Sequence, residues 1–103
     1  MATAYKKNIL MFASSGNESL NFLLYPASSP FVISVGSYDT YTGKRSDFSN
    51  YGSNLDFTAP GDLILTAWCD GSTVALSGTS LSTPHVSAAA AYLKLINKDL
   101  TVQ

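Results

Sequence analysis

The stretch Gly78-Thr79-Ser80-Leu81-Ser82-Thr83-Pro84-His85-Val86 puts a small nucleophile at a loop-to-helix junction, with an apolar helix behind it. Gly78 lets the backbone turn tightly, Ser80 falls where the helix begins, and the N–H groups of a first helical turn have no intrahelical acceptor. Those groups point toward negative charge forming beside the hydroxyl, an arrangement suited to acyl transfer. A tetrahedral intermediate uses more than one donor. Asn17, on a loop after an apolar run, can supply a carboxamide N–H while the Ser80 backbone supplies another. Taken alone, Gly16-Asn17 is usually just a turn.

His85 is the sole histidine, and a serine without a base is a poor nucleophile at neutral pH. Five residues along a helix give about 7.5 Å of rise and roughly 140° of rotation, which turns the imidazole away from the hydroxyl. His85 is therefore not expected to be the base. The Gly-x-Ser-x-Gly elbow of α/β-hydrolases does not apply either, because Ser82 stands where the second glycine would be.

The elements that must position these residues follow from the hydrophobic pattern. Asn8 to Ala13 is a short apolar run ending at Ser14-Ser15-Gly16-Asn17, the pattern of a strand buried on both faces with a loop at its carboxyl end. Sites collect at that edge of open α/β sheets. Asn21 to Pro30 reads as a loop and Phe31 to Gly36 as a second buried strand. Asp39 to Gly52 is polar and is expected to be a surface excursion, with a hairpin as one form of it. Leu55 to Thr58, Leu63 to Ala67 and Thr73 to Leu76 are short strands. The first two are separated by Pro60-Gly61, where Pro presets φ and Gly tolerates positive φ.

Val86, Ala89, Ala90, Leu93 and Ile96 recur at helical spacing, so the pattern predicts a helix from Ser80 to Asn97, roughly 25 Å long. Pro84 falls in or near its first turn, where a missing N–H costs little. Ser87 and the four following alanines would let this helix approach other backbone closely, although a generic buried helix explains them as well.

Composition bounds the rest. With 103 residues, 46% hydrophobic and 13% charged, the chain has the makeup of one small globular domain. A net charge of −1 with no run of either sign excludes the electrostatic footprint of a nucleic-acid binder. Ala88 to Tyr92 is far short of the roughly 20 apolar residues of a membrane span. Met1 to Lys7 places its charge after the alanines, which is not the order of a secretory signal. Cys69 is the single cysteine and forms no internal disulfide.

The serine string resembles the serine segment of the subtilisin-like serine proteases, the subtilase family or peptidase S8. Phe12-Ala13-Ser14-Ser15-Gly16-Asn17-Glu18 resembles the segment that carries the family's oxyanion-hole asparagine. Tyr25-Pro26-Ala27, with a Tyr-Pro bond open to the cis form, Phe48-Ser49-Asn50-Tyr51-Gly52 and Asp56-Phe57-Thr58-Ala59-Pro60-Gly61 also match. The resemblance thus runs through nearly the whole chain.

What the resemblance implies is an α/β fold, a parallel sheet flanked by helices, of which residues 1–103 form the C-terminal portion of the catalytic domain. It implies a serine endopeptidase acting on polypeptides, with Ser80 as nucleophile and Asn17 as oxyanion donor. Phe12, Ala13, Ser14, Ser15 and Gly16 would line the pocket for the substrate residue before the scissile bond, with Gly78 and Thr79 near its other side. The family's triad runs Asp, His, Ser along the chain. Its first two members precede the asparagine, whereas Asp39, Asp47, Asp56, Asp62 and Asp70 all follow Asn17. The base and its orienting carboxylate are therefore expected upstream, in the missing N-terminal part of the same domain, and these residues alone are expected to be inactive and marginally stable. The alternative is a non-catalytic interaction module that pairs an open sheet edge with another chain. No cofactor enters the chemistry. A structural, calcium-like cation on Ala27, Ser29, Val32 and Asp56 is implied by some relatives, although a hard cation takes about six oxygens or more. Family resemblance also points to the extracellular space or the cell envelope.

Overall fold

The computed structural model describes residues 1–101. A short helix α1 (Ala2–Lys6) leads to strand β1 (Phe12–Ser14), followed by β2 (Ile33–Tyr38), β3 (Phe57–Pro60), β4 (Ile64–Ala67), β5 (Thr73–Leu76) and the long helix α2 (Thr79–Ile96). The first three strands form a parallel sheet in the order β1-β2-β3, and β4 and β5 form a separate antiparallel pair. Helix α2 packs across all three parallel strands.

β2 lies in the middle, paired with β1 on one side and β3 on the other. Residues 34–37 are all buried, and Val35 is fully so. Parallel pairing sets Phe12 beside Ile33 and Val35 beside Phe57. β1 is shorter than its apolar run implied and only half-buried. The chain leaves α1 through Asn8 at φ 60°, so the run straightens late. Even so, the Met11 carbonyl already accepts the Ile33 N–H, at 2.8 Å. Among the described residues β1 pairs with β2 alone.

Three expectations need correction. The segment from Asp39 to Gly52 is no plain surface excursion. It makes a single antiparallel bridge, Tyr38 to Arg45, then turns inward so that Ser46, Ser49 and Asn50 are buried. Their polar atoms are satisfied inside: Ser37 Oγ and Ser46 Oγ are 2.7 Å apart, and the Ser37 N–H reaches Ser49 Oγ at 3.0 Å. The hairpin is instead β4–β5, with Ile64 opposite Leu76 and Ala67 opposite Thr73.

Pro60-Gly61 is not the positive-φ turn expected. Pro60 ends β3, and the left-handed residue is Leu63 at φ 51°. Gly61 is a glycine for lack of room. A Cβ there would overlap Ser82 Oγ and Ser37 Oγ and stand 2.8 Å from the Gly78 carbonyl oxygen. The Gly61 carbonyl accepts the Gly78 N–H at 2.8 Å, so the end of β3 is laced directly to the start of α2.

α2 begins at Thr79, one residue before the predicted start, and Pro84 lies within it. Its buried residues are Thr79 and Ser82. The apolar spacing that predicted the helix is largely bare, with Leu93 at 53% and Ile96 at 68% exposed.

Candidate active site

The β4–β5 hairpin returns the chain to the carboxyl end of the parallel sheet and delivers Gly78 to the cap of α2. Its base is closed by Ser77 Oγ, which accepts the Leu63 N–H at 2.9 Å and donates to Asp62 at 3.1 Å. From that cap Thr79 turns inward, fully buried, while Ser80 is exposed.

Thr79 reaches across to the loop after β1. Asn17 Oδ1 accepts both the Thr79 N–H and the Thr79 hydroxyl, each at 2.8 Å. The Thr79 hydroxyl oxygen in turn accepts the Gly16 N–H at 3.3 Å. A backbone N–H only donates, so this contact fixes which end of the Asn17 carboxamide faces Thr79. Nδ2 is left for another acceptor, on an exposed side chain. Two residues distant in sequence are thus joined at the head of one helix, where the N–H groups of the first turn and the helix dipole favour negative charge.

Beside Ser80 runs a groove of about 710 Å³. Phe12, Ala13, Ser14 and Gly16 form one wall, Leu24, Tyr25 and Pro26 another, and Ser80, Thr83, Pro84 and Ser87 of α2 face them. The Tyr25–Pro26 bond is cis. Ser15, Gly78 and Thr79 are not among the lining residues. Ser15 is fully buried because its N–H bonds the Val35 carbonyl and its hydroxyl the Asn50 carbonyl. Gly78 and Thr79 are likewise buried and act on the loop–helix junction.

His85 lies away from this groove. Its Nδ1 sits 2.8 Å from the Leu81 carbonyl oxygen, and it lines a different, apolar groove of about 560 Å³ with Phe57, Val86 and Leu93. The carboxylate named for a cation, Asp56, receives the Ser34 N–H at 2.9 Å and the Ser34 hydroxyl at 3.2 Å, which ties β3 to β2. Among the described residues no group of three His, Cys, Asp or Glu side chains gathers in one place.

One residue at this site was not read from the sequence. Asn50 is fully buried beneath the Asn17 loop and uses its whole carboxamide on it. The only signal was its place in the Phe48-Ser49-Asn50-Tyr51-Gly52 string, which marks a match and not a role.

A profile of the subtilase family matches residues 1–103. The chain belongs to the subtilase family. This subtilase is 43% identical over 98 residues to Proteinase R of Parengyodontium album, an alignment covering 94% of this chain and 25% of that protein. It is 45% identical over 93 residues to the cell wall-associated protease of Bacillus subtilis, covering 90% and 10% respectively. A solved cold-adapted subtilisin-like serine proteinase superposes with a TM-score of 0.91 at 38% identity, over 98% of this chain and 37% of that one. The prenylagaramide maturation protease PagA gives 0.85 at 39% identity, over 97% and 38%. The subtilase chain described here thus spans well under half the length of the relatives it matches. The architecture they share with this chain is the fold described above.

Proposed function

We propose that Ser80 is the nucleophile of a serine endopeptidase that hydrolyses peptide bonds through an acyl-enzyme, with the Asn17 carboxamide and the Ser80 N–H receiving the oxyanion. One observation carries this reading. Thr79 holds the Asn17 carboxamide oxygen at the head of the same helix that presents Ser80, exposed, beside a groove.

In this chemistry a base takes the Ser80 proton as Oγ attacks the scissile carbonyl carbon, and the carbonyl oxygen becomes an oxyanion. Donors fixed before the reaction need no reorganisation as that charge develops. The tetrahedral species then expels the amine, which takes the proton from the base, and water releases the acyl group by the same path. His85 lines a different groove from Ser80, and we place the base and the carboxylate that orients it outside residues 1–103. The substrate is a polypeptide lying along Phe12, Ala13, Ser14 and Gly16. A cell-surface or extracellular setting accords with the relatives.

The test compares peptide hydrolysis by the purified 103-residue chain with that by the native-length product, each with and without Ser80→Ala. The native-length product should hydrolyse peptide in a Ser80-dependent way. The chain alone should be lower in turnover by about 10⁶, a loss established for triad knockouts in subtilisin. Ser80-dependent cleavage by the chain alone would contradict the placement of the base.

A second reading, an interaction module, is favoured by the bare apolar side of α2, where Leu93 and Ile96 are exposed. It requires a defined oligomer or partner whose formation is indifferent to Ser80→Ala.

A further inference from the structure

We propose that Asn50 is a positioning residue that holds the Asn17 loop in register with α2. The inference rests on reading Asn17 as the oxyanion donor. Asn50 Oδ1 accepts the Glu18 N–H at 3.1 Å and the Leu20 N–H at 2.9 Å. Its Nδ2 donates to the Ser15 carbonyl at 2.9 Å and to Glu18 Oε1 at 3.0 Å. These four bonds use the full donor and acceptor capacity of a carboxamide, and their partners bracket Asn17 on both sides. The main chain adds two more, from the Asn50 N–H to the Gly16 carbonyl at 3.0 Å and from the Ser15 hydroxyl to the Asn50 carbonyl at 3.2 Å.

The loop is shaped to fit this residue. Gly16 adopts φ 109°, and a Cβ there would overlap Asn50 Nδ2. Asn50 is fully buried, so water cannot replace the bonds it makes. Asn17 itself makes no bond to Asn50; it is held at its far end by Thr79. Asn50 therefore acts on Asn17 through the backbone, by fixing where the Asn17 Cα stands.

The test reads this coupling without needing catalysis. In the 103-residue chain the bond from the Thr79 amide to Asn17 Oδ1 should slow its hydrogen exchange, and exchange reports local opening. Asn50→Ala should lower Thr79 protection by about tenfold relative to mid-helix amides such as Ala90, as Asn17→Ala does, and the double variant should lose little more. Equal losses at Thr79 and Ala90, or additive losses in the double variant, would show a general stabilising role and overturn the proposal.

Asn50→Asp covers the case in which the alanine variant does not fold. It keeps the acceptor for Glu18 and Leu20 but sets a carboxylate against the Ser15 carbonyl and Glu18. Thr79 protection, again relative to Ala90, should recover as pH falls and the new carboxyl gains a proton to donate; pH-independent protection would count against the proposal. In the native-length protein, kcat should fall with Asn50→Ala while KM holds, and should not fall further in an Asn17→Ala background. If Asn17→Ala leaves kcat unchanged, the oxyanion reading fails while the Thr79 result still decides whether Asn50 holds the loop.

Discussion

Thr79 grips Asn17 twice, through its N–H and its hydroxyl, both on the one carboxamide oxygen. The residue immediately before the proposed nucleophile therefore orients the proposed oxyanion donor. Thr79→Val keeps the N–H bond and the shape but deletes the hydroxyl and strands the Gly16 N–H that it accepts. In the native-length protein it should lower kcat by about tenfold with KM little changed, and lower stability by about 1–3 kcal/mol. Thr79→Ser should restore both in steady-state kinetics and urea unfolding.

Gly61 supports the same junction by being small. Gly61→Ala drives a methyl toward two serine hydroxyls and the Gly78 carbonyl oxygen, and should destabilise by about 1–3 kcal/mol, the usual cost of overpacking. Ser82→Ala should be neutral within about 0.5 kcal/mol, because the buried Ser82 Oγ finds no hydrogen-bond partner among the described residues. Combining the two should recover only part of the loss, since the Gly78 carbonyl remains in the way. Thermal unfolding of the four proteins of the cycle checks this.

Removing the imidazole of His85 should leave peptide hydrolysis by the native-length protein within about threefold of the parent. The side chain is exposed and bonded to its own helix at Leu81. A kcat loss approaching the roughly 10⁶ seen for triad members in subtilisin would identify it as the base and overturn the assignment.

At the tip of the β4–β5 hairpin the Ser72 hydroxyl, then the Ser72 N–H, bonds the Asp70 carboxylate and holds its pKa below the ordinary 3.8. A lowered folded-state value means that the carboxylate favours the folded turn. The contribution is present above the ordinary value and is lost as pH falls through the lowered one. The site is fully exposed, so the effect on global stability is small. An NMR titration should place the Asp70 midpoint below that of Ser72→Ala, whose midpoint should move back up.

The helix and the central strand were legible in the sequence because their signals are local. The spacing of Val86, Ala90, Leu93 and Ile96 sets α2, and the apolar run around Val35 sets β2. The strings around Ser80 and Asn17 are specific enough to mark both as candidates for chemistry. Asn50 was not legible, because its bonds span 30 to 35 residues of chain and no short pattern encodes them. The reason for Gly61 was misread since a conformational rule fits any Pro-Gly pair, whereas close approach to Ser82 and Gly78 exists only in the folded chain. Helix α1, five residues with none buried, carries no periodic apolar signal at all.

The most direct test of the central claim is to treat the native-length protein, isolated from its source, with a serine-reactive phosphonylating probe and map the adduct by peptide mass spectrometry. The account predicts one adduct, on Ser80, formed at a rate that falls in Asn17→Ala and absent in Ser80→Ala. An adduct on another serine, or peptide hydrolysis that survives Ser80→Ala, would contradict it.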